Sequence, residues 1–182
     1  MYKRQEKSKE VVSIYLDYVA PEDLHIYSVD ECFLDVTDYL KLYKKTDYEL
    51  AEEILKTVEE KTGLTATCGI GPNLLLAKVA MDTEAKKYKN GIAKWTYDDI
   101  PEKLWPITPL SKMWGIGPRM EKKLNNLNIY TIKELANFDK NILKDNFRNQ
   151  YKFPDQTGHP RCTVPHNLFA PAATQRTMAS SA

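Results

Sequence analysis

Two adjacent carboxylates, Asp30 and Glu31, stand inside the stretch Tyr27-Ser28-Val29-Asp30-Glu31-Cys32-Phe33-Leu34-Asp35-Val36-Thr37. The flanking runs of β-branched and aromatic residues read as the arms of a hairpin with an acidic tip. Carboxylate oxygens are hard ligands suited to Mg²⁺, which one or two protein carboxylates and substrate phosphates commonly hold at phosphoryl-transfer sites. An isolated Asp-Glu pair at a turn is more often simply solvated, so the rest of the chain has to decide between the two readings.

A second group with chemical potential is Gly115-Ile116-Gly117, with Lys112, Arg119, Lys122 and Lys123 around it. Two glycines in a tight turn can present backbone N–H groups outward and form a small concavity for a nucleic-acid phosphate, with no base read. The alternative is a helix stop followed by Pro118 at the first helical position, which needs no ligand. The clustering of basic residues favours DNA contact. Lys86 and Lys87 end the helix expected from Asn73 onward. There they complement the helix dipole, and beside a metal-bound triphosphate one of them would neutralise charge on the leaving pyrophosphate. His159, Cys162 and His166 supply three potential ligands with prolines close by and no fourth partner, which does not make a zinc site.

These side chains need a scaffold. Apolar residues recur at helical spacing over 8–19, and Pro21 ends the pattern. Thr46-Asp47-Tyr48-Glu49 reads as a capping box opening a helix that Gly63 closes. Residues 64–70 alternate like a half-buried strand, Gly71-Pro72-Asn73 turns the chain into a helix through Lys86, and 92–95 is one more strand. Asp98-Asp99-Ile100-Pro101 starts a short helical turn. The order α, β-hairpin, α, β, α, β predicts an α+β fold, a mixed sheet with helices packed on it, over residues 1–107.

A second, all-α unit is expected over 108–150. There 110–114, 118–127 and 131–138 read as short helices joined by tight turns, the first two flanking Gly-Ile-Gly, with Met120, Leu124 and Leu127 on an apolar face. Residues 151–182 carry Pro154, Pro160, Pro165 and Pro171 without periodicity and are expected to be disordered.

The chain has 182 residues, 42% of them hydrophobic, enough to build a core. The formal net charge of +1 hides an uneven distribution: residues 1–62 hold nine Lys/Arg against fifteen Asp/Glu, and 63–182 hold seventeen against ten. An acidic part able to hold cations and a basic part able to hold phosphates suit a nucleic-acid enzyme. Three cysteines at unpaired spacing exclude a disulfide framework and point to a reducing compartment, the cytoplasm. The longest apolar run, Leu74-Leu75-Leu76-Ala77, stops at Lys78, and no signal peptide or membrane span is recognisable.

Three motifs taken in order resemble the Y-family translesion DNA polymerases, specifically the UmuC-like impB/mucB/samB branch. They are 27–35, then Cys68-Gly69-Ile70-Gly71-Pro72-Asn73-Leu74-Leu75-Leu76-Ala77-Lys78-Val79-Ala80-Met81-Asp82, then Trp114-Gly115-Ile116-Gly117-Pro118. The resemblance implies a partial palm followed by a helix-hairpin-helix thumb. It also implies Mg²⁺-dependent nucleotidyl transfer in DNA repair and the SOS response, on primer-template DNA and a dNTP, with a sliding clamp as a possible partner.

In that likeness Asp30 binds catalytic Mg²⁺ and Glu31 helps activate the primer 3′-hydroxyl. Lys86 falls where the family has a lysine that touches the triphosphate, and Gly115, Ile116 and Gly117, with Arg119, Lys122 and Lys123, grip the DNA backbone. The family's first strand, carrying a further metal-binding Asp, and its fingers are not recognisable here, nor is a little finger after Phe147. Leu74 also stands where many relatives have Lys. The chain therefore reads as a palm-thumb fragment with little activity alone, open to self-association through exposed sheet edge. Two other readings stay open: a non-catalytic DNA-binding remnant, and a different palm-type enzyme such as a cyclase or nuclease.

Overall fold

The computed structural model describes residues 2–147 and 177–181. It divides into two compact units: residues 1–99 with the C-terminal strand, and a second unit that begins at Ile100.

The first unit opens with α1 (Tyr2–Leu16), which starts earlier than the spacing predicts and stops short of Val19. A hairpin follows from β1 (Leu24–Ile26) and β2 (Glu31–Asp35), with Leu24 paired to Leu34 and Ile26 to Cys32. A short α2 (Tyr39–Tyr43), which no sequence signal announced, leads to α3 (Asp47–Thr62). The predicted capping box is present: Thr46 Oγ1 accepts from the Glu49 N–H at 3.2 Å, and the Glu49 carboxylate accepts from the Thr46 N–H at 2.8 Å. Gly63 closes the helix at φ 71°, a left-handed conformation that glycine adopts without a Cβ penalty.

Strand β3 (Thr67–Gly71), helix α4 (Leu74–Thr83) and strand β4 (Ile92–Lys94) complete the local order. Asn73 caps α4 by accepting from the Leu76 N–H at 2.9 Å. The helix ends at Thr83, not at Lys86. Lys86 sits in a separate 3₁₀ turn, Ala85–Lys87.

The largest departure from expectation lies in the supposed tail. Thr177–Ser181 is a strand, β5, in the middle of the sheet, whose order is β1-β2-β5-β3-β4. It runs antiparallel to both neighbours, with Ser180 opposite Cys32 on β2 and Cys68 on β3. Among the described strands only β3 and β4 run parallel. Residues 151–176 and 182, including His159, Cys162 and His166, lie outside the described residues. A pattern of Thr-Met-Ala-Ser-Ser carries little strand propensity of its own. Here two open strand edges dictate the conformation.

Alternation along the strands gives each face its own partner. Cys32, Leu34, Cys68, Ile70 and Met178 pack with Val11, Ile14 and Tyr15 of α1 and with Leu50, Ile54 and Val58 of α3. Tyr15 Oη and Ser180 Oγ share a buried hydrogen bond at 2.8 Å. Burial, only partly offset by this bond, pushes the Tyr15 phenol well above its ordinary range. Burial also lifts the thiols of Cys32 to about 11 and Cys68 to about 12.

The opposite face takes α4 at very close range. A Cβ on Gly69 would lie 2.0 Å from the Ala77 carbonyl oxygen, and one on Gly71 would lie 2.5 Å from the Ala77 nitrogen. Ala179, directly opposite Gly69, belongs to the same face.

In the second unit a 3₁₀ turn (Leu110–Lys112) precedes α5 (Pro118–Asn126), α6 (Ile132–Asn137) and α7 (Lys140–Phe147). Leu110, Met113, Ile116, Leu124, Ile129 and Ile132 are buried in its core. Among the described residues no helix is long and apolar enough to cross a membrane.

Gly69→Ala is expected to destabilise the chain by about 1–3 kcal/mol, because backbone of α4 must move to admit the methyl group. A fall in the urea midpoint with an unchanged slope checks it.

Candidate functional site

The hairpin turn is tied from both ends. The N–H groups of Tyr27 and Ser28 both donate to the Glu31 carbonyl at 3.0 Å, and the Ser28 hydroxyl donates to Asp30 Oδ1 at 2.7 Å. Asp30 and Glu31 are consecutive at the entry to β2, so the pleat sends their side chains to opposite faces. The exposed Asp30 lines a cavity of about 430 Å³ on the α1 side, with Lys3, Arg4, Lys7, Val11 and Tyr15 also in its wall.

Glu31 takes the other direction. Its Oε1 accepts from Lys78 Nζ of α4 at 2.6 Å, and the same ammonium reaches Asp82 Oδ1 at 3.0 Å. The Lys78 side chain is 5% exposed, against 20% for Glu31 and 32% for Asp82. Lys86 Nζ, on the 3₁₀ turn, stands 3.5 Å from Asp82. The structure thus joins Glu31 and Lys86 through an alternating series, Glu31, Lys78, Asp82, Lys86.

Burial alone would lower the Lys78 pKa. The hydrogen bonds to Glu31 and Asp82 outweigh it and leave a net upward shift, so the ammonium stays charged.

Sequence reasoning singled out Asp30, Glu31 and Lys86 but passed over Lys78. The signal was there: a lysine inside an otherwise apolar run from Leu74 to Met81 is buried only with a carboxylate partner, and Asp82 stands at i+4. The basic residues of α1 were missed because nothing local links them to the hairpin.

As ligands, Asp30 and Glu31 offer two carboxylates, one already held by an ammonium. Among the described residues no group of three or more His, Cys, Asp or Glu is placed to hold a metal ion. The two carboxylates face opposite sides of the sheet and so do not form one donor set as the sequence implied; Asp30 alone would hold a Mg²⁺, completed by substrate phosphates and water rather than by a protein-built cage.

In the second unit Gly115 adopts φ 87° and Ile116 is buried. Gly117 is the N-cap of α5 at φ −84° and has no side chain of its own to cap that end. Pro118 has no N–H, so the next backbone donors of the first turn point past an uncapped end toward the space beside Gly117, where a Cβ would meet nothing within 4 Å. Arg119, Lys122 and Lys123 are exposed along the same helix. Lys123 Nζ lies 5.8 Å from the Phe147 ring centroid, in cation–π range. Of the predicted apolar face, Leu124 is fully buried, with Met120 and Leu127 half-buried.

Comparison with known proteins adds independent observations. The impB/mucB/samB family matches residues 1–82, and the helix-hairpin-helix motif of the same family matches 97–129. The chain is 49% identical over 98 residues to the DNA repair protein homolog YobH of Bacillus subtilis, covering 54% of this chain and 45% of that protein. It is 41% identical over 134 residues to DNA polymerase IV 2 of the same organism, covering 74% of this chain and 31% of the relative. The chain therefore spans between about a third and a half of these relatives' lengths.

Among solved structures it is similar to a DinB family error-prone DNA polymerase from Sulfolobus solfataricus, with TM-score 0.62 and 26% identity over 78% of this chain and 40% of the other. An insertion ternary complex of Dbh DNA polymerase superposes with TM-score 0.63 at 24% identity, covering 83% of this chain and 46% of that one, a likeness of fold alone.

Lys78→Met is expected to cost about 1–3 kcal/mol, since it leaves a half-buried carboxylate without its donor. The folded Lys78 pKa is raised, so the pair's contribution is fully present below the unfolded lysine value of about 10.4. It is lost as pH rises through the folded value. The stability gap between the unaltered and altered chains should accordingly be flat from about pH 6 to 9 and close above that range, as measured by urea unfolding.

Proposed function

The chain belongs to the impB/mucB/samB family of Y-family DNA polymerases, and from that premise we propose that it is the palm and thumb portion of a translesion polymerase. Its first unit supplies palm chemistry and its second binds duplex backbone through the Gly115-Ile116-Gly117 hairpin. The reaction is Mg²⁺-dependent nucleotidyl transfer from a dNTP to a primer end on template DNA, in cytoplasmic DNA repair, including the SOS response. A sliding clamp is a further partner in that setting.

One observation carries the reading: the acidic pair of the hairpin and a basic, uncapped helix end occur in one chain, in the order the family motifs require. Asp30 would hold Mg²⁺ together with substrate phosphates and water, while Glu31 stays on the opposite face with Lys78. The metal would supply charge neutralisation on the phosphates. Lys86 would stand toward the triphosphate and Asp82 would keep it oriented. Arg119, Lys122 and Lys123 would neutralise phosphates of the DNA backbone without reading bases.

Two-metal transfer needs ligands that bridge both ions and hold the attacking oxygen in line. Among the described residues no group of three or more potential metal ligands is gathered in one place, so the 182-residue chain by itself is proposed to extend primers poorly or not at all. A radiolabelled primer-extension assay tests this. Template-directed incorporation by the purified chain, abolished by Asp30→Ala, would overturn the expectation of inactivity while keeping the site.

DNA binding is expected to be retained and salt-dependent. Changing Lys122 and Lys123 together to Ala should weaken affinity on all sequences alike and reduce the log-log salt slope by about 2, measured by fluorescence anisotropy. Unchanged affinity and slope would remove the second unit from the DNA interface.

A further inference from the structure

The middle strand of the sheet comes from far along the chain and pairs on both sides with strands that are remote from it in sequence. Without β5 the sheet falls into two parts, the β1–β2 hairpin and the parallel pair β3–β4, each with an open edge of unpaired N–H and C=O groups. We propose that the cleft between β2 and β3 is a binding site for one extended peptide strand, filled within a chain by residues 177–181 and filled by the same segment of a second copy in a strand-exchanged dimer. This inference does not depend on the polymerase reading.

The cleft has defined requirements. Toward α4 it accepts only small residues, because Ala179 pairs with Gly69 on a face where a Cβ on Gly69 would already lie 2.0 Å from the α4 backbone. Toward α1 and α3 it takes an apolar residue at 178, level with Leu34 and Ile70. At 180 it takes a hydroxyl, which Tyr15 meets at 2.8 Å. The segment satisfies all three and pairs along both edges.

Residues 148–176, twenty-nine in number, separate α7 from β5. A stretch of that length spans at most about 100 Å when extended, so its length does not confine the strand to its own chain. Contacts made in cis and in trans are identical. The balance is then set by concentration against an effective value of about millimolar or below for the tethered strand.

Ser180→Cys in the full chain reports on the seat, because the introduced thiol lies opposite Cys32 and Cys68, within disulfide reach for paired residues of neighbouring antiparallel strands. The protein is refolded under reducing conditions and then oxidised with diamide, which takes up the two protons and two electrons released by a thiol pair. Bridges are mapped in non-reduced digests of a mixture of tagged and untagged chains. The expected result is a bridge within one chain after dilute refolding. Bridges between tagged and untagged chains should rise at least about tenfold between refolding at about 10 µM and about 1 mM. Bridges that stay within one chain at both concentrations overturn the exchange, and no bridge to Cys32 or Cys68 at all overturns the seat.

Should Ser180→Cys fail to fold, the unaltered chain refolded with an excess of a fluorescent peptide of residues 175–182 gives a second readout. The peptide should co-elute with the protein in gel filtration, and the same peptide carrying Ala179→Leu should not. Loss of both peptides, or equal retention of both, overturns the proposal.

Discussion

The first unit depends on how little side chain lies beneath α4. Gly69 and Gly71 on β3 and Ala179 on β5 leave a nearly flat strip of backbone, and the helix settles onto it with the Ala77 carbonyl oxygen where a Gly69 Cβ would be. That approach brings Lys78 across β5 to Glu31 on β2 at 2.6 Å. A bulkier strip would hold the helix off the sheet, and a lysine of fixed reach would lose its carboxylate. Packing density on one face thus sets the electrostatics at the strand ends.

The Lys78 ammonium is nearly buried, and a buried charge persists only when paired and hydrogen-bonded. Its two carboxylates meet that need from different elements, Glu31 on the sheet and Asp82 one turn along its own helix. The same pleat that gives Glu31 to Lys78 turns Asp30 toward the basic wall formed by Lys3, Arg4 and Lys7. The two acids therefore serve opposite sides of the sheet, Glu31 in an ion pair with Lys78 and Asp30 in the wall of a cavity that also holds basic side chains.

Much of this was legible wherever a local rule had a local cause. The Thr46–Glu49 capping box, Gly63 as the helix stop, the Asn73 cap and the Gly115 turn are short-range hydrogen-bond or steric facts, and the sequence patterns placed them within a residue or two. Strand β5 was not legible, because neither propensity nor alternation marks Thr177–Ser181 and prolines crowd the residues before it. Its conformation is imposed by β2 and β3 from elsewhere in the sequence. The opposite directions of Asp30 and Glu31 follow from period two at the mouth of a strand, which a description of the stretch as a hairpin with an acidic tip leaves out.

The double engagement of Lys78 bears on whether Glu31 is available to a ligand. A carboxylate whose only partner is a buried ammonium is released at the cost of stranding that ammonium, a matter of about 3–5 kcal/mol. Lys78 differs, because Asp82 Oδ1 already sits 3.0 Å from its Nζ. If Glu31 turns away, the ammonium keeps a charged hydrogen bond within its own helix. Asp82 is in turn supported by Lys86 at 3.5 Å, on the outer side. The release of Glu31 is then an exchange of partners along a series, with the most buried charge never left alone. Glu31 can accordingly be held in the resting protein and still be released to a ligand that arrives on the α4 face. An apolar residue in place of Lys78 would leave the carboxylate unanchored, and in place of Asp82 would make its release expensive.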